Sequence, residues 1–197
     1  MQGIHVNRVL VLLLLFFFTP IATSATESAG LKAGVFSPPR LAPELSLRGS
    51  DGAELKLSRY RGKVVVLAFG FTHCPAVCPV TLAVLAQARK QLGATADGIQ
   101  VVFVTVDPER DNAERMRKYL SGFDPTFIGG TGMPDQLASV RKNYGVVATK
   151  VASAGGYAVD HSSSIYMIDR EGKLRAMMPY GHSADDYVHD LKILLKK

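Results

Sequence analysis

The sequence predicts an α/β domain, and three observations carry that prediction. VVVLAFGF after Lys63, a continuous apolar and β-rich run, reads as a buried central strand, and IQVVFVTV from Ile99 as a second buried strand. Each is followed by a segment of helical character, Val80–Ala88 after the first and Asp107–Gly122 after the second. The last third of the chain changes pattern: two strand-like runs flank the turn Asp169–Gly172, and an amphipathic stretch follows Ser183.

From the N-terminus, residues 1–8 carry one positive charge and no negative one, and residues 9–18 are an unbroken apolar run. Small residues follow at 21–25. Basic, apolar and small segments in that order are expected to form a signal peptide or membrane anchor over 1–25. Ten apolar residues fall short of the ~20 that span a bilayer, so cleavage after export is favoured over a retained anchor. Residues 26–43, with Pro38, Pro39 and Pro43, read as a linker or extended lead-in. Leu45, Leu47, Leu55 and Leu57 alternate around Gly49–Gly52 and predict a small hairpin. The first buried strand follows, then a helix through Val80, Leu82, Val84 and Leu85 to about Gly93. After the second strand, Asp107-Pro108 reads as a helix start, with Asp at the cap and Pro at the first helical position. Phe127–Gly129 is expected as a short strand. Asp135–Tyr144 is expected as a helix closed by Gly145, and 146–151 with 157–159 as a pair of short strands. Strands Ser164–Ile168 and Leu174–Met178 and a Ser183-capped helix to Leu195 complete the chain. The order is a hairpin, then β-α-β-α-(β)-α-β-β-α. That is a thioredoxin-like plan with an N-terminal β-hairpin extension and an insert, in one domain over 44–197.

The net charge of +6 comes from scattered basic residues such as Arg89-Lys90 and Arg141-Lys142. No continuous basic stripe with interleaved aromatics is present, so a nucleic-acid partner is not expected.

FTHCPAVCP, residues 71–79, holds both cysteines of the chain. A purely structural disulfide across three residues closes too small a loop to stabilise much. Two readings remain, a redox pair and a soft-metal clamp. Cys74 lies where the first strand gives way to a helix, and Cys78 is four residues on. A helix N-terminus favours thiolate, and Pro75 and Pro79 suit a helix start. Two thiolates leave a metal under-coordinated. His73 is adjacent to Cys74 and reads as structural, His182 as a cap or surface residue, and His189 as a helical one. His161, in the polar turn DHSSS before the Ile165 strand, occupies the region where a thioredoxin-like enzyme usually offers a cis-proline; no proline occurs between Pro134 and Pro179. It is either a third ligand or a packed loop histidine. A Cys-Cys-His set suits Cu(I), or Cu(II) with an added oxygen, better than zinc.

FGFTHCPAVCP, VTVDPERD and DHSSSIYMIDREGKL, in that order, resemble the Sco/SenC family of copper-binding thioredoxin-fold proteins. The resemblance covers Leu45 to the C-terminus. It implies a copper chaperone for the dinuclear copper centre of cytochrome c oxidase subunit II. An extracytoplasmic, membrane-proximal site is implied as well, in the bacterial periplasm or on the outer face of the inner membrane. The family's copper ligands fall on Cys74, Cys78 and His161. An aspartate matching Asp107 is assigned there as a polar group near the metal, whereas spacing alone makes Asp107 a helix cap. Many relatives carry an acidic residue where this chain has Ala76. The competing function is a thiol-disulfide oxidoreductase in which Cys74 attacks an acceptor disulfide and Cys78 resolves it. A chaperone acting on an oxidised acceptor would itself need a periplasmic thiol reductant.

Overall fold

The computed structural model describes residues 30–153 and 155–196; the leader or anchor expected at 1–25 lies outside them. β4 (Val64–Gly70) and β5 (Ile99–Thr105) run parallel at the centre, and every residue of both is buried. A parallel strand covered on both faces needs apolar side chains on both, so neither run alternates. β6 (Ile128–Thr131) extends the parallel set beyond β5. On the other side of β4, β9 (Ile165–Ile168) and β10 (Lys173–Met178) are added antiparallel, joined by the turn at Asp169–Gly172. This β10-β9-β4-β5 core makes the fold thioredoxin-like. The expected N-terminal hairpin is β2 (Leu47–Gly49) with β3 (Glu54–Leu55), docked antiparallel on β6.

The helices are α1 (Val77–Leu92), α2 (Ala113–Ser121), α3 (Pro134–Tyr144) and α4 (Ala184–Leu195). Phe103 of β5 stacks against Tyr119 of α2 and lies beside Cys78 of α1. Phe69 of β4 is out of register with Phe103 by one residue, so it points to the opposite face, where it meets Tyr144 of α3. The sheet is thus covered on both sides, with α1 and α4 packed on each other. Gly145 closes α3, as the sequence predicts, in the left-handed conformation at φ 68°, and the helix opens at Pro134, one residue before the expected start. Ser183 accepts from the Asp186 amide and caps α4. Among the described residues no helix is long and apolar enough to cross a membrane.

Three segments depart from expectation. The stretch 26–43 is more than a lead-in: β1 (Gly34–Leu41) pairs antiparallel with β10 as the sheet's outer strand. Its register breaks between Val35 and Arg40, where Pro38 and Pro39 sit, and an edge strand tolerates prolines that a central one does not. Second, α2 starts at Ala113 rather than after Asp107-Pro108. The true cap is Asn112, whose side chain accepts from the Arg115 amide at 2.9 Å. Asp107 to Arg110 forms a turn instead, and the Asp107 carboxylate caps nothing. Third, β7 (Ala148–Ser153) and β8 (Gly156–His161) form a separate two-stranded sheet longer than expected, so His161 ends a strand rather than lying in a turn.

Candidate metal centre

β4 delivers the chain to the site. It ends at Gly70, and Phe71 to Ala76 lead into α1, whose second residue is Cys78. Gly70 is needed for proximity: a Cβ there would stand 2.7 Å from the Cys78 sulfur and 2.5 Å from the Phe103 ring. Cys78 is buried and Cys74 half-buried, both as free thiols. The Cys78 amide, one of the unpaired donors at the start of α1, points at Cys74 Sγ from 3.5 Å. For Cys78 the helix-start expectation is reversed. Burial pushes its thiol well above the usual range, outweighing a hydrogen bond from the Phe71 backbone that acts the other way.

His161 comes from 83 residues further along, and its Nε2 lies 3.6 Å from Cys78 Sγ. Its Nδ1 is 2.8 Å from the Ser162 carbonyl oxygen, which can only accept. In the neutral ring Nδ1 therefore carries the hydrogen, and the Nε2 lone pair faces the sulfur. Phe71 braces the imidazole edge-on, with ring centroids 5.9 Å apart. With thiolate and imidazole bonds of about 2.3 and 2.0–2.1 Å, a 3.6 Å separation corresponds to an S–metal–N angle of about 110°. The Cys78–His161 pair fits one small ion. Among the described residues no three His, Cys, Asp or Glu side chains are already gathered to ion-holding distance.

The other histidines among the described residues lie away from the sulfurs. His182 Nδ1 lies 3.3 Å from Asp186 and His189 Nδ1 2.8 Å from Asp190. His73 is turned from the sulfurs towards Thr72 and Arg115, 3.3 and 3.1 Å away.

Sequence reasoning missed Asp111. It is fully buried and accepts from the Thr72 amide at 2.9 Å, the Thr72 hydroxyl at 2.6 Å and the Thr105 hydroxyl at 2.7 Å. Arg115 adds a 2.8 Å bond to the Thr72 hydroxyl. The loop two residues before Cys74 is thus pinned to the segment after β5. The signal was present as the second aspartate of VTVDPERD, four residues past Asp107. Asp107 is also fully buried, and its carboxylate is taken up by Tyr157 and Arg110.

The match to the SCO1/SenC family covers residues 36–196. Over 157 residues the chain is 36% identical to the mouse mitochondrial SCO2 homolog, covering 76% of this chain and 60% of that protein. For four mitochondrial relatives the chain spans only 44–60% of their own length. Two solved structures are similar. Bradyrhizobium japonicum ScoI with copper bound is 35% identical, with a TM-score of 0.73 over 79% of this chain and 99% of that one. Apo Sco1 of Thermus thermophilus is 35% identical, with a TM-score of 0.76 over 84% of this chain and 97% of that one.

Proposed function

The chain belongs to the SCO1/SenC family, and from that premise we propose that it is a copper carrier whose ligands are Cys74, Cys78 and His161. The observation that carries this reading is the 3.6 Å approach of a free imidazole nitrogen to a buried thiol from opposite halves of the chain. A soft donor set of two thiolates and one imidazole suits Cu(I), and Cu(II) with one added oxygen ligand. The copper held by the similar Bradyrhizobium protein supports the same cargo.

The residues divide the work. Cys74, half-exposed at the end of its loop, is the sulfur an acceptor reaches first. Cys78 and His161 form the enclosed end of the site. Transfer proceeds by ligand exchange, as incoming thiolates or imidazoles replace the three one at a time. Direction is set by relative affinity. Burial favours the thiol form of Cys78 in the metal-free protein, so uptake releases a proton and affinity falls as the pH is lowered. The acceptor that fits this cargo and family is the dinuclear copper centre of cytochrome c oxidase subunit II. Delivery there requires an extracytoplasmic, membrane-proximal location and a thiol reductant for the acceptor, and the expected leader at 1–25 would supply the location.

The experiment is metal analysis of the reduced protein beside Cys74→Ser, Cys78→Ser and His161→Ala. One copper per chain is expected, with retention lost in each cysteine variant and weakened in His161→Ala. A wild-type protein that holds no copper yet reduces disulfides through Cys74 would replace the carrier with a thiol-disulfide oxidoreductase.

A further inference from the structure

Among the described residues β7 and β8 pair only with each other and with no strand of the main sheet. Yet β8 ends in His161, which stands over Cys78 of the main body. Its position has to be set by contacts outside the hairpin's own ladder. A cluster of these comes from Tyr157, on the same strand. Its hydroxyl donates to Asp107 Oδ1 at 2.8 Å, and its carbonyl accepts from Arg110 Nη1 at 3.1 Å. Arg110 Cζ lies 3.8 Å from the Tyr157 ring centroid, and Arg110 Nε donates to Asp107 Oδ2. The same guanidinium is 5.7 Å from the centroid of Phe71, the ring that braces His161. It therefore sits between the ring that holds the hairpin and the ring that backs the imidazole. Asp107 is fully buried, so this anchor is fixed to the body. Arg110 Nη2 is buried without a hydrogen-bond partner, so the side chain is held by its stacking and its two bonded nitrogens. A planar guanidinium can make all of these contacts at once and an ammonium cannot. The exposed Lys150–Glu109 pair across the same junction is a screened surface contact and adds little.

We infer that Arg110 and Tyr157 are positioning residues for His161. They clasp the β7–β8 hairpin to the turn after β5 and set the imidazole over the Cys78 sulfur before a metal arrives. The inference rests on the reading of His161 as a ligand. It also gives buried Asp107 a role, as the point to which the clasp is fastened.

The test is a double-mutant cycle on the reduced full chain. Cu(I) affinity is read by competition with a chromophoric Cu(I) chelator. Arg110→Gln is expected to weaken binding roughly 10- to 100-fold, the range for groups that orient a ligand. Added to His161→Ala it should cost nothing more, because the residue acts only through the imidazole. Tyr157→Phe, which removes one hydroxyl, should show the same pattern with a smaller loss, and it carries the test if Arg110→Gln does not fold. In metal-free protein, hydrogen exchange of the β7–β8 amides should quicken in both variants. Equal losses with and without His161, or unchanged affinity and exchange, would overturn the inference. If His161→Ala alone leaves Cu(I) affinity unchanged, the ligand reading has failed and the clasp has no metal role.

Discussion

Cys78, Phe103 and the missing side chain of Gly70 compete for one volume. A methyl group at 70 would meet the sulfur and the ring at less than 3 Å. Gly70→Ala is therefore expected to destabilise the fold by about 1–3 kcal/mol, the usual cost of overpacking. It should weaken copper binding as well, by pushing the Cys78 sulfur off His161. Denaturant melts and chelator competition on the same variant check both. At this scale the sequence was legible where chemistry concentrates. Two cysteines in one turn, and a histidine where a proline is usual, drew attention to the three residues proposed as ligands, and the family resemblance chose the ligand reading of His161 over a packed one. Asp111, Arg110 and Tyr157 stayed hidden because a lone carboxylate, guanidinium or phenol shows its purpose only beside its partners. Those partners are up to 50 residues away.

The β4–α1 loop is the element that carries Cys74, and it is held from outside itself. Asp111 supplies the acceptors for the Thr72 amide and for the hydroxyls of Thr72 and Thr105. Asp111→Ala leaves these buried donors without their acceptor, at ~1–3 kcal/mol for each left unsatisfied. We expect an overall loss of about 3 kcal/mol in chemical denaturation, with faster alkylation of Cys74 as the loop loosens. A variant of wild-type stability and wild-type thiol reactivity would show that the loop holds itself. The β4, β5, β9, β10 and α4 assignments were legible because their patterns are uninterrupted. Asp107-Pro108 misled because Asp then Pro is also a turn sequence, and the burial that decides between turn and helix start is tertiary. β1 was obscured by its prolines, which only an outer strand accommodates.

Across the whole molecule, α4 ties down the start of the described chain. Buried Asp190 accepts from the amides of Lys32 and Ala33 at 2.8 and 2.9 Å, and Asp186 pairs with Lys32 Nζ at 2.5 Å. The Lys32 contact holds the Asp186 carboxyl well below its ordinary value, helped by Ser183. A depressed carboxyl adds stability that is complete above its unfolded pKa of about 3.9 and drains away as pH falls below it. Lys32 is raised by the same contact, so its share is lost only in strong alkali. Between these limits the start of the described chain is fastened to the domain. Asp186→Asn is expected to speed tryptic cleavage after Lys32 at neutral pH while leaving copper affinity unchanged. Unaltered cleavage would mean that Asp190 alone holds the segment. The central claim is that the fold joins an imidazole from the hairpin to two sulfurs from the β4–α1 junction around one copper ion. X-ray absorption at the copper edge of the Cu(I)-loaded protein tests it most directly. Two sulfurs at ~2.3 Å and one imidazole nitrogen at ~2.0 Å are expected, bond lengths ordinary for such ligands, with the nitrogen lost in His161→Ala. A spectrum of sulfur ligands alone, identical in wild type and His161→Ala, would contradict it.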